Sequence, residues 1–155
     1  MRRFTSFLLL LTALFLFSCG KSDGFKTVKA DTDGNIHIPV SDITETATFY
    51  NYHANGTTVQ LVALRDAAGE VHAAFNTCQS CSPSPKAYYQ QKDDELICQN
   101  CGFDFTPEQV GVVSGGCNPT PVQGLTESGG ELIIPASSFE GMRDKFLRWG
   151  GPTKS

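Results

Sequence analysis

The sequence predicts a mainly β domain, a small sandwich or barrel closed by one C-terminal helix. Two observations carry that expectation. Short runs of β-branched and aromatic residues recur between turn residues, and the hydrophobic period lengthens to a helical one only near the C-terminus. Many short strands separated by turns favour two packed β layers over an α/β arrangement.

Taken in order, Asn35–Val40 is a short strand entered through Asp33-Gly34, and Thr48–His53 is a second. Asn55-Gly56 then gives a strong short-range hairpin signal, because a two-residue type I′ turn needs positive φ at both central positions. Thr58–Arg65 returns as the partner strand, Asp66-Ala67-Ala68-Gly69 turns the chain again, and Val71–Phe75 follows. A third hairpin is expected from Ala87–Gln90, a charged turn at Lys92-Asp93-Asp94, and Glu95–Cys98. Gly130–Pro135 is a late strand. Beyond it Phe139, Met142, Phe146 and Trp149 form an apolar helical stripe, with Ser137 and Glu140 at capping-box spacing.

Residues 1–18 read as a lipoprotein signal peptide. Arg2-Arg3 precede an uncharged, mostly apolar run, Phe7–Phe17, and a small residue, Ser18, precedes Cys19. The run is too short to span a bilayer, which takes about 20 apolar residues. Leu16-Phe17-Ser18-Cys19 resembles a bacterial lipobox, which implies cleavage before Cys19 and diacylation of that cysteine. The residues after Arg2-Arg3 fit a twin-arginine signal poorly, so export as an unfolded chain is expected. Residues 19–33 are read as the lipidated cysteine and a flexible polar tether, and residues 34–150 as one metal-binding β domain.

Without the leader, ten basic residues face sixteen acidic ones, for a formal charge of −6. An acidic chain with no basic run offers nothing to neutralise phosphates, so a nucleic-acid partner is not expected. The expected membrane contact is the N-terminal lipid, on the periplasmic or other extracytoplasmic face of a bacterial envelope.

The chemistry lies in the cysteines. Cys78-Gln79-Ser80-Cys81 and Cys98-Gln99-Asn100-Cys101-Gly102 form a doubled C-x-x-C. Two intervening residues let both thiolates of a pair converge on one ion, and small residues beside the turn let backbone N–H groups point at sulfur. Four soft thiolates select zinc, Cu(I) or an iron–sulfur cluster. Structural disulfides are the alternative in an oxidising compartment, although they do not require doubled pairs. A fifth cysteine, Cys117, sits in Ser114-Gly115-Gly116-Cys117-Asn118-Pro119, where it is open as an additional ligand, a redox thiol or a buried apolar group. His37, His53 and His72 fall within strand-like runs, where a satisfied or solvated histidine is the default. Neither a hydrolytic triad nor a Gly-rich phosphate loop is present, so no catalytic residue is assigned.

Several stretches are similar to the FtrD-like membrane iron–sulfur domain associated with bacterial iron-uptake permeases. They are Gly69–Phe75, the first cysteine pair, Tyr88, Gln90, Ile97-Cys98-x-Asn100-Cys101-Gly102-x-x-Phe105 and Gly115-Gly116-Cys117-Asn118-Pro119. The resemblance implies an iron–sulfur centre and a membrane redox or metal-permease partner. The order of loops is also distantly similar to Rieske proteins, with Cys81 and Cys101 standing where those sites place histidines. That likeness implies a Rieske-like β fold.

Two functions follow as expectations. One is a non-enzymatic electron carrier linked to iron or metal uptake. The other is a metal-binding module without redox turnover, either a structural zinc domain or a copper or iron chaperone.

Overall fold

The computed structural model describes residues 24–153; the leader and Cys19 lie outside them. Eleven strands and one α-helix make three sheets. The strands are β1 (Phe25–Thr27), β2 (Asn35–Pro39), β3 (Thr48–Ala54), β4 (Thr57–Arg65), β5 (Val71–Cys78), β6 (Tyr89–Lys92), β7 (Glu95–Cys98), β8 (Asp104–Phe105), β9 (Pro119–Pro121), β10 (Thr126–Ser128) and β11 (Glu131–Pro135), and α1 is Ala136–Phe146. The five-stranded sheet runs β1-β3-β4-β5-β9, and two three-stranded sheets run β10-β11-β2 and β6-β7-β8. The mainly β architecture with a single C-terminal helix is the expected one.

The central strand shows why the order of elements matters. All six residues of β4 from Val59 to Leu64 are buried, since both faces of the sheet are covered. Val59, Leu61 and Ala63 pack into the cluster that holds Phe139 and Phe146 of α1. Val62 and Leu64 point the other way and join Cys78, Tyr89, Leu96 and Cys98. Alternation along one strand thus feeds two cores, the second of which includes two site cysteines. Phe139 stacks edge-on to Phe75 at 5.2 Å and is fully buried, a burial that stabilises by about 1.5–3 kcal/mol.

The Asn55-Gly56 hairpin forms with φ of 46° and 83°, joining β3 to β4. The β6–β7 hairpin turns at Asp93 with φ 57° and pairs Tyr89 with Cys98. Inside the segment read as a tether, Phe25–Thr27 adds a parallel edge strand to β3. The short strands β8, β9 and β10 carry no alternation long enough to read from sequence.

The helix departs from expectation at its start. Its N-cap is Pro135, with no side-chain cap. Ser138 Oγ donates to the Gln123 carbonyl, while Glu140 accepts from Tyr52 Oη and Asn55 Nδ2. The capping box therefore does not form, because Glu140 is recruited across the structure by the β3–β4 hairpin. Trp149 lies past the helix end but still packs on the core, donating from Nε1 to the Asn76 carbonyl at 2.8 Å.

Candidate metal centre

Three loops bring the cysteines together. The first leaves the end of β5 at Cys78, the second leaves the end of β7 at Cys98, and the third enters β9 after Cys117. Register explains the convergence: Cys78 pairs with Pro119 across β5–β9, and a bulge between Phe75 and Cys78 bends the strand there. The second knuckle is tied to the first by Gln99 N–H donating to the Tyr88 carbonyl and Cys78 N–H donating to the Ala87 carbonyl.

The sulfurs of Cys78, Cys81, Cys101 and Cys117 all lie within 4.8 Å of one another. Three of the four spacing-derived ligands are in that set, and the third-loop cysteine completes it. Cys98 lies beside it, its thiol hydrogen-bonded to Cys101 and exposed to the charge of Cys78. All five are free thiols, with Cys78 and Cys98 buried and Cys101 exposed.

Both knuckles use the backbone in the same way. N–H groups of Ser80 and Cys81 donate to the Cys78 sulfur, and those of Asn100 and Cys101 donate to the Cys98 sulfur. The Phe103 N–H reaches the Cys101 sulfur. Gly102 supports this indirectly: its own N–H donates to the Cys98 carbonyl at 2.9 Å, and its φ of +77° turns the chain onward. Such N–H donors favour thiolate over thiol.

The five thiols separate electrostatically. Burial alone raises Cys78, but the Tyr89 hydroxyl beside it, which also faces the Cys117 carbonyl, and the Cys81 and Ser80 amides outweigh it and hold the thiol below its ordinary value. Cys101 is also lowered, as the Phe103 amide and neighbouring thiols overcome burial. Burial pushes Cys81 and Cys98 up to about 12. Cys117 rises to about 11, first because it gives its proton to Cys101 and second through burial. Cys78 and Cys101 are thus the two sulfurs shifted towards thiolate, and the other three are shifted towards thiol.

Two supporting residues escaped the sequence reading. Tyr89, fully buried, donates its hydroxyl to the Cys117 carbonyl and sits against Cys78; the same burial raises its own pKa. Its backbone N–H is fixed by Asn76 Oδ1 at 2.7 Å, and Asn76 in turn donates to the buried Gln60. Gln79 holds the third loop: Gly115 N–H donates to its Oε1 at 2.8 Å, and its Nε2 donates towards the carbonyls of Val113, Asn118 and Pro119. The place of Tyr89 in the strand expected to form a hairpin with Glu95–Cys98 was the sequence signal for the first, and nothing distinguished Gln79 from Gln99.

The histidines stand elsewhere. His37 bonds Asp31 and Glu131, His53 meets Thr58, and His72 lies 2.9 Å from Asp66 Oδ2.

A small β domain presenting five thiols from three loops is a thiolate metal-binding domain. Four clustered sulfurs match the donor number that both [2Fe–2S] and [4Fe–4S] clusters take, and they also match a tetrahedral zinc site. Residues 40–146 match the family model for membrane iron-sulfur containing protein FtrD-like, and the chain belongs to this family. No curated protein and no solved structure shows significant similarity to the chain. Among the described residues, no helix is long and apolar enough to cross a membrane.

Proposed function

We propose that this chain is a lipid-anchored envelope protein whose iron–sulfur centre passes single electrons between a membrane redox protein and a metal-uptake partner. The observation that carries this reading is the compact thiol cluster, with one exposed member, in a chain of an iron–sulfur family. The ligands come from Cys78, Cys81, Cys98, Cys101 and Cys117. When bound, such a centre supplies reversible one-electron chemistry.

The chain's own residues set the conditions for it. Buried Tyr89 and Leu96 close the inner side of the site. On the outer side Cys101 is exposed, with Phe103 60% and Val112 68% exposed two residues after it and five before Cys117. Among the described residues, three of the four large exposed apolar side chains flank cluster cysteines in this way, which supports close approach by a partner at the cysteine edge. Attachment through Cys19 would let the domain reach partners on either side of its anchor.

A second reading is a structural zinc or other single-ion site. The mutual 4.8 Å limit favours it, because a tetrahedron with zinc–sulfur bonds of about 2.3 Å has sulfur–sulfur edges of about 3.8 Å. Anaerobic purification from the envelope followed by metal, acid-labile sulfide and visible-absorption analysis separates the two. Iron with sulfide and bands that bleach on reduction is the expected result. One colourless zinc per chain would replace electron transfer with the structural reading, and a metal-free protein with oxidised cysteines would remove both.

A further inference from the structure

The centre has four positions and five thiols. A zinc ion, a [2Fe–2S] cluster and a [4Fe–4S] cluster each take four protein thiolates, so one cysteine is left over whichever is bound. We propose that Cys78, Cys81 and Cys101 fill three positions while Cys98 and Cys117 alternate in the fourth, with Gln79 holding Cys117 in place. The inference rests on the metal-binding reading of the site and holds for a cluster or a single ion.

Both candidates are equipped for the position. Cys117 belongs to the set of four mutually close sulfurs and hydrogen-bonds Cys101 and Cys78. Cys98 hydrogen-bonds the same Cys101, and its sulfur lies in a two-amide cradle of the kind that Cys78 has. The cradle is part of the β7 turn and does not depend on the third loop.

The two differ in what holds them. Cys98 is buried and ends a strand paired on both sides, so it stays where it is. Cys117 follows two glycines, Gly115 and Gly116, with φ of +90° and +63°, in an exposed loop. The tip of that loop is tied to the first knuckle by side chains. Gln79 Oε1 accepts from Gly115 N–H, and Ser80 Oγ donates to the Gly116 carbonyl at 2.5 Å. Gln79 serves as acceptor and donor at once, since its amide nitrogen faces three loop carbonyls. Releasing this one side chain removes most of the side-chain ties on the loop, leaving those from Ser80 and Tyr89, and does not disturb β5, β7 or the knuckle amides. Cys98 then stands next to the vacated position.

Gln79→Glu isolates the latch. It keeps the acceptor for Gly115 but replaces the donor with a carboxylate oxygen facing three carbonyls, which repel it. The full-length chain and its variants are reduced, purified under nitrogen and loaded with cobalt(II) alone. The intensity of the cobalt–thiolate charge-transfer band counts sulfur ligands, and the position of the visible d–d band shifts when an exchange of one sulfur for another changes the coordination geometry. Four thiolates are expected in the wild type, in Cys98→Ser and in Cys117→Ser, with a shifted band in Cys117→Ser. Gln79→Glu should reproduce that shift. The double variant Cys98→Ser/Cys117→Ser should lose about a quarter of the intensity.

Cys117 is half-buried at the edge of the second core and Cys98 is fully buried in it, so the Cys117 serine variant decides the matter even if Cys98→Ser does not fold. Three thiolates in Cys117→Ser overturn the exchange, and an unshifted band overturns Cys117 as the resting ligand. A wild-type spectrum in Gln79→Glu overturns the latch. A wild-type chain that takes up no cobalt on sulfur removes the metal-binding reading itself, a failure distinct from the other three.

Discussion

The two knuckles, Cys78-Gln79-Ser80-Cys81 and Cys98-Gln99-Asn100-Cys101, are near copies in sequence and unlike in role. Each buries its first cysteine under two amide N–H donors. Their glutamines then diverge. Gln99 Nε2 folds back onto the Ile97 carbonyl of its own strand at 2.9 Å, whereas Gln79 reaches out to the loop that carries Cys117. The third residues diverge as well: Ser80 binds that loop, while Asn100 accepts from Ser84 Oγ at 2.7 Å and hydrogen-bonds Cys81. The first knuckle thus joins the second to the third loop, while the second ties back only to the first, through Asn100. Backbone geometry makes a knuckle a ligand, and side chains decide what else it holds.

The comparison breaks most completely at Cys78, the sulfur in contact with Cys81, Tyr89 and the third loop. Cys78→Ser should weaken metal binding by more than the roughly 10–100-fold that loss of a supporting hydrogen bond costs. Chelator competition measures it, and an unchanged affinity would remove Cys78 from the ligand set. A smaller effect should separate the paired glutamines. Gln79→Ala is expected to weaken binding about 10-fold or more, and Gln99→Ala to leave it within about 2-fold. Equal effects would show that the two knuckles do the same work.

Tyr89→Phe sharpens the contrast through pH. The tyrosine hydroxyl is among the hydrogen bonds that keep Cys78 below its ordinary value, so its removal raises that thiol. Metal uptake needs thiolate, and the uptake curve should therefore move to higher pH. Titrating zinc uptake against pH reads the shift; a curve that stays in place would assign Tyr89 to packing alone. The mildest change is Ser80→Ala, which deletes one hydroxyl contact to Gly116 at a cost of about 1 kcal/mol. It should weaken the binding contribution of Cys117 several-fold while leaving the Cys98 cradle untouched. Cobalt titration would show this as a partial form of the Cys117→Ser spectrum.

Local chemistry was legible in the sequence. Asn55-Gly56 specified its hairpin, because positive φ at two successive positions is affordable for those residues and few others. The strands β2, β3, β4 and β11 were readable because each carries a run of β-forming residues longer than its turns. The cysteine pairs were readable because two-residue spacing alone closes an amide cradle on sulfur. The helix stripe was equally local, although its cap was not. Glu140 has partners on β3 and beside it, Tyr52 and Asn55, which lie 88 and 85 positions away in the chain.

What the sequence determined by itself was therefore a mainly β domain with one helix and a doubled thiolate site. Tertiary structure decided which sulfurs stand closest together and what holds them there. Cys117, and not Cys98, joins Cys78, Cys81 and Cys101 in the set of sulfurs within 4.8 Å of one another, and that depends on how β9 pairs with β5 through Cys78 and Pro119. Tyr89, Gln79 and the buried Asn76 act on groups contributed by other strands and loops. A residue type and its spacing reveal interactions that close within one turn of chain, while interactions between distant segments exist only once the sheet has set their register.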